Sequence, residues 1–165
     1  MELEAKLLRR LWKTLCYSVL LTLVGCVHAD SDLRPYDEDA DARAAIADAL
    51  AISTASRPVL ITFGANWCKD SRALEAHYQS PELAALLEQH FVLVRVDVGM
   101  FHRNLDIVEE YGDPIDKGIP AVVLLSPEGK VLYASGQGEL ASASRMSRAG
   151  AVAFFSGLAE DGKPR

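Results

Sequence analysis

Trp67-Cys68-Lys69-Asp70-Ser71 is the stretch of this chain best equipped for covalent chemistry. The thiolate is the nucleophilic form of cysteine, and a helix start favours it through unpaired N–H groups and the positive dipole end. Cys68 stands at such a start. Lys69 adds charge of the helpful sign and Asp70 opposes it. Ser71, three residues on, is placed to donate a hydrogen bond to the thiolate but can never attack a disulfide. Cys68 and Ser71 are therefore the candidate catalytic residues, with Trp67, Lys69 and Asp70 shaping the site. Attack by Cys68 on a disulfide gives a mixed disulfide, whose release needs an outside thiol such as glutathione or a second cysteine on the substrate. Isomerisation and deglutathionylation fit that limit; a cycle driven by an internal dithiol does not. The opposing view is a degenerate site in which Cys68 is only a small apolar residue.

Cysteine usage and the N-terminus narrow the setting. Lys6, Arg9, Arg10 and Lys13 form a basic region, followed by an apolar stretch from Leu15 to Val24. That stretch falls short of the about 20 residues a bilayer span takes and suits the apolar core of a signal peptide. Two processing sites compete. Leu23-Val24-Gly25-Cys26 has the pattern that makes Cys26 the lipidated first residue of a mature bacterial lipoprotein, with residues 1–25 as signal peptide. Val27-His28-Ala29 has the small-residue pattern of ordinary cleavage after Ala29. A lipid on Cys26 tethers a domain to a membrane without spanning it, and Val27 after it leans toward the outer membrane. The expected location is the periplasmic face of a bacterial envelope, anchored or soluble. In either case Cys68 becomes the one free thiol of the mature chain, the pattern of a reactive thiol in an exported protein. No structural disulfide, zinc cluster or other metal site is expected.

The full chain carries 17 basic and 23 acidic residues; without residues 1–25 the balance is 13 against 21, a net charge of −8. An acidic domain has no attraction for nucleic acid or anionic head groups. No cofactor is implied beyond an external thiol. The expected partners are exported proteins that carry cysteines or disulfides.

The remaining residues fall into alternating elements. Residues 26–42 read as an acidic, solvated tether. A helix follows through Ala44–Leu50, capped by Asp41 or a neighbour. Pro58–Phe63 is a buried-strand candidate that hands over through Gly64-Ala65-Asn66 to a helix starting near Cys68, with Ala73, Leu74, His77 and Tyr78 on one face. Ser80-Pro81-Glu82 breaks and restarts the helix. Phe91–Val98 is a strand, Leu105–Tyr111 a helix ended by Gly112, and Ala121–Leu125 with Val131–Tyr133 a hairpin turned by Pro127 and Gly129. A last helix is expected over about Ser142–Leu158, with Met146, Ala149, Val152, Ala153 and Phe155 inward. This order gives a mixed sheet with helices on both faces.

Three features together resemble the thioredoxin superfamily: Trp67-Cys68 at a helix start, Gly118-Ile119-Pro120 ahead of the strand Ala121–Leu125, and the element order over Ala44–Leu158. The closest similarity is to bacterial exported members with Phe-Gly-Ala-Asn-Trp-Cys before the helix and a stretch like Arg103-Asn104-Leu105-Asp106-Ile107 after it. The resemblance implies an α/β thioredoxin fold for residues 43–160. It assigns Cys68 as nucleophile, Trp67 as the aromatic residue before it, and Pro120 as a cis-proline. Ile119, just before Pro120, is then the residue that binds an incoming peptide through its backbone. Two positions depart from the pattern. Ser71 replaces the resolving cysteine, and Thr62 replaces the buried acid that deprotonates it. The alternative is a thioredoxin-like binding or chaperone module in which Cys68 is incidental. His77 reads as a packed histidine, and His102 as a loop residue.

Overall fold

Every residue of Val59–Gly64 (β1) is buried, as an apolar run rich in β-branched and aromatic residues must be when elements cover both faces of its sheet. The computed structural model describes residues 33–165; the apolar stretch Leu15–Val24, Cys26 and the cleavage site at Ala29 lie outside them. β1 is central in a four-stranded sheet, flanked by Val92–Asp97 (β2) in parallel and Ala121–Leu125 (β3) in antiparallel register. Val131–Ala134 (β4) pairs with β3 at the far edge, across a tight turn at Gly129 with φ 78°. This is the mixed α/β sheet of a thioredoxin fold.

Side chains alternate across β1, so Val59, Ile61 and Phe63 face one side and Leu60 and Thr62 the other. The first side packs against Ile46 and Ala49 of the helix Ala42–Ile52 (α1) and against Ile107 and Val108 of Leu105–Glu110 (α4). The second packs against Lys69–Tyr78 (α2), Pro81–His90 (α3) and Arg148–Asp161 (α5), through Leu74, Leu83, Leu87 and Phe155 among others. The caps match their sequence signals. Asp41 accepts from the Ala44 N–H at 3.0 Å, and Pro81 opens α3. Among the described residues no helix is long and apolar enough to cross a membrane.

Two expectations need correction. The closing helix does not run unbroken from Ser142. A short 3-10 turn, Ala143–Arg145, ends at Met146, and α5 starts at Arg148 because the Ser147 hydroxyl caps the Gly150 N–H at 3.0 Å. That start sets the phase. Ala151, Phe154, Phe155 and Leu158 face inward, whereas Ala149 is exposed and Val152 and Ala153 are only half-buried. The second correction concerns the solvated tether. Its residues Arg34 and Asp37–Asp41 are exposed, but Tyr36 is 2% exposed and packed into the domain.

Candidate functional site

Cys68 is the N-cap of α2, with extended backbone at φ −76° and ψ 119°. The preceding Gly64-Ala65-Asn66 turn brings it there, closed by the Cys68 N–H donating to the Ala65 carbonyl at 3.1 Å. Its side chain is free and 8% exposed. The thiol donates to the Ile119 carbonyl at 3.5 Å. The Ile119–Pro120 peptide bond is cis and immediately precedes β3. Residues 51 positions apart in sequence thus meet at one sulfur.

Trp67 lies beside them, 49% exposed, its indole N–H donating to the Gly99 carbonyl at 2.8 Å. Phe101 meets it edge-on, with ring centroids 6.0 Å apart. The two rings form an apolar shoulder next to the cysteine. Lys69 is exposed and has no ion-pair partner among the described residues. Asp70 is turned to a different task, because its carboxylate accepts from the Ser144 N–H at 2.9 Å and ties the 3-10 turn to α2. Partial burial works to raise the Asp70 carboxyl, but the Ser144 hydrogen bond and the nearby Lys69 and Arg145 charges hold it below its ordinary value.

Ser71 is fully buried, and its hydroxyl is bound away from Cys68. It accepts from the Ala65 N–H at 3.4 Å and lies beside the phenol of Tyr36. The hydrogen bond expected from Ser71 is to the thiolate, and here Cys68 is a thiol that donates to Ile119. The Tyr36 backbone is held by Asn66, whose side-chain amide donates to the Tyr36 carbonyl at 2.7 Å and accepts from its N–H at 3.1 Å. The phenol passes over Gly64, where any Cβ would overlap it. Gly64 is thus the opening through which the segment before α1 reaches the base of the site.

Below Ser71 a buried polar layer continues along α2. Thr62, in the place of the acid implied by the resemblance, shares a 3.0 Å hydrogen bond with the Tyr78 hydroxyl. Glu75 is held in two parallel bonds by Arg95 of β2, both 2.8 Å. Burial pushes the Tyr36 phenol well above its ordinary value, with Tyr78 and Glu75 adding to the effect and Ser71 and Arg95 opposing it. Burial likewise raises the Tyr78 phenol. Arg95 is raised although its own burial acts the other way, because Glu75 stabilises the charge.

Tyr36, Asn66, Glu75 and Arg95 join this arrangement without a sequence motif that marks them. One signal was available for the last two: Arg95 interrupts the apolar run Phe91–Val96, and a charge placed there needs a buried partner. His77 is half-buried near the Ala143 carbonyl at 3.4 Å, a packed residue as expected. His102 accepts from the Met100 N–H at 2.9 Å within its own loop.

A cysteine at a helix N-cap, a cis-proline peptide against its sulfur and a β1-centred mixed sheet define a thioredoxin-like protein. The thioredoxin-like family matches residues 41–127, and the chain belongs to that family. Among solved structures it is similar to a disulphide isomerase from Xylella fastidiosa Temecula1, with 46% identity, covering 78% of this chain and 98% of that one, at a TM-score of 0.75. It also matches the reduced C-terminal domain of DsbD from Neisseria meningitidis, with 24% identity, 56% of this chain, 77% of that one, and a TM-score of 0.44. No curated protein matches.

Proposed function

We propose that this is an exported thioredoxin-like protein, lipid-anchored through Cys26, that performs monothiol thiol-disulfide exchange on proteins of the periplasm. One observation carries the proposal: Cys68 stands at the N-cap position of α2 with its thiol against the Ile119 carbonyl, and Ser71 lies three residues on, where a resolving thiol would stand. The similar structure from Xylella fastidiosa is described as a disulphide isomerase, which agrees with exchange as the chemistry. Export and anchoring rest on the basic and apolar pattern before Cys26.

The step balances without any redox cofactor. The Cys68 thiolate attacks one sulfur of a client disulfide. The Cys68–client bond forms as the client S–S bond breaks, and the second client sulfur leaves as a thiolate that takes up a proton. Attack by another client cysteine on the mixed disulfide then returns Cys68, with no net oxidation or reduction: this is isomerisation. With a glutathionylated client, glutathione moves onto Cys68 and a second glutathione removes it as glutathione disulfide. The Ile119 carbonyl accepts from the thiol but repels a thiolate, so the sulfur must turn toward the N–H groups of α2 as it loses its proton.

The test is recovery of activity by a disulfide-scrambled protein in a glutathione buffer, with and without the full chain. With Cys16 and Cys26 replaced by serine in both proteins, the proposal expects faster recovery with Cys68 present and none above background with Cys68→Ser. Equal recovery with both proteins overturns it. One feature favours the alternative of a binding module: Cys68 is 8% exposed and its thiol already has a carbonyl partner. On that view Cys68→Ser retains whatever binding the wild type shows.

A further inference from the structure

A groove of about 360 Å³ opens next to the site, between α4 and the loop that leads into the cis-proline. Phe101, Leu105, Val108 and Ile115 supply its apolar surface, and Gly118 closes the end nearest Ile119. It is joined to Cys68 from two directions. Gly118 is next to Ile119, whose carbonyl accepts from the sulfur, and Phe101 is the ring packed against Trp67. Phe101 is 45% exposed although its backbone is held at a positive φ of 58°, and Met100 beside it is more exposed still. Phe101 and Leu105 of the groove, Trp67 against Phe101, and Met100 next to it in sequence account for most of the exposed large hydrophobic residues of the described chain. A contiguous patch of this kind marks an interaction surface.

The mouth of the groove is acidic. Glu109 and Asp113 line it and have no ion-pair partner among the described residues, while Asp116 is paired with Lys117. The neighbouring acids Asp106 and Glu110 share Arg43 on the other side of α4, one cation for two carboxylates. Glu109 and Asp113 put further negative charge at the groove itself, where Lys117 is the nearby cation.

We infer that this groove selects the client segments that reach Cys68, and that it takes an extended peptide with an apolar side chain next to a lysine or arginine. The apolar side chain fills the space over Leu105, Val108 and Ile115, and the cation lies between Glu109 and Asp113. This rests on Cys68 being the exchanging thiol, and it adds a preference that main-chain binding beside Ile119 does not give. Charge at a rim acts mainly through the rate of encounter, so the preference is salt-sensitive.

The test uses the full chain with Cys16→Ser and Cys26→Ser, which leaves Cys68 as its one thiol, and three matched peptides, each with one cysteine activated as a mixed disulfide with thionitrobenzoate. Their neighbouring residues are Leu-Arg, Leu-Glu and Ser-Arg. Cys68 displaces the coloured thiolate and forms the Cys68–peptide disulfide, so the release rate reports capture. The Leu-Arg peptide is expected to react about tenfold faster than Leu-Glu at low salt, and the gap to narrow to about threefold or less in high salt. The double variant Glu109→Gln/Asp113→Asn removes the Arg-over-Glu difference, and Leu105→Ser reduces the Leu-over-Ser one. Neither changes the rate with hydroxyethyl disulfide, a small uncharged disulfide with no apolar side chain or cation to place in the groove. Equal rates for all three peptides, with normal reaction of that small disulfide, overturn the inference and leave exchange intact.

If no disulfide reacts, exchange itself has failed, and the groove is then read alone. Fluorescent versions of the peptides with serine for cysteine are titrated by anisotropy, and only the same order of affinity upholds the groove's preference. Concentration-dependent dimerisation that blocks all three peptides would assign the groove to a second copy of this chain and overturn the inference.

Discussion

The two halves of α2 hold their polar groups in opposite ways. At its N-terminal end the Cys68 thiol and Ser71 hydroxyl make contacts of 3.5 and 3.4 Å. In the half that follows, Glu75 and Tyr78 are fixed at 2.8 and 3.0 Å, the former by two charge-assisted bonds. Sulfur hydrogen bonds are weak in any setting, yet the Ser71 contact is long as well. The contacts of Cys68 and Ser71 at the tip are long and those of Glu75 and Tyr78, the frame, short, while Asp70, between the first two, is tied to the Ser144 N–H at 2.9 Å.

The frame can be broken first. Arg95→Met leaves Glu75 buried and unpaired and is expected to cost about 3 kcal/mol, read as a shift in the urea midpoint. Adding Glu75→Gln to it should recover much of that loss, because the stranded charge is gone. A small effect of Arg95→Met would mean that water reaches Glu75 and the frame is not dry. Next comes the clasp at the base of the site. Gly64→Ala drives a methyl group into the Tyr36 phenol and is expected to cost about 2 kcal/mol. In the background of Tyr36→Ala the same change should cost less than half as much, a coupling that a double-mutant cycle measures.

Alkaline titration sharpens the comparison. Tyr36 and Tyr78 are raised above their ordinary value by burial, so the unfolded chain gives up these protons first. Their contribution is fully present below about pH 10 and is lost as pH rises, with a limiting slope of about 1.4 kcal/mol per pH unit for each tyrosine. The Tyr36→Phe/Tyr78→Phe protein should show a flatter stability profile above pH 10. The smallest effect belongs to Asp70. Its carboxyl is held below the ordinary value, so the stability it adds is present above about pH 4 and lost as pH falls further. Asp70→Asn should reduce that acid-side loss, visible as a flatter melting-temperature profile below pH 4.

The tip of α2 was legible in sequence and the frame mostly was not. A cysteine after Trp67, a proline after Ile119, the Asp41 cap and Pro81 at a helix start are local signals, each fixed by its immediate neighbours. Phase and pairing are different. α5 turns its face to Ala151, Phe154 and Phe155 because Ser147 rather than Ser142 begins it, and two serines five residues apart carry the same local signal. Glu75 and Arg95 are 20 residues apart on separate elements, a separation at which no periodicity shows the bond. Tyr36 is the clearest case. A single aromatic in an acidic stretch has no pattern to announce it, and only Gly64 across the fold explains where it goes. Ser71 is legible as the third residue after Cys68, but its contact with the Ala65 N–H has no local signal.

The most direct test of monothiol exchange is intact-mass spectrometry of the native full chain carrying Cys16→Ser and Cys26→Ser, so that Cys68 is its one thiol, in excess glutathione disulfide at neutral pH. The account predicts one glutathione on Cys68, formed faster than on a free-cysteine peptide and fully removed by reduced glutathione. A native chain that stays unmodified, and takes up glutathione at Cys68 only after unfolding in urea, would contradict it.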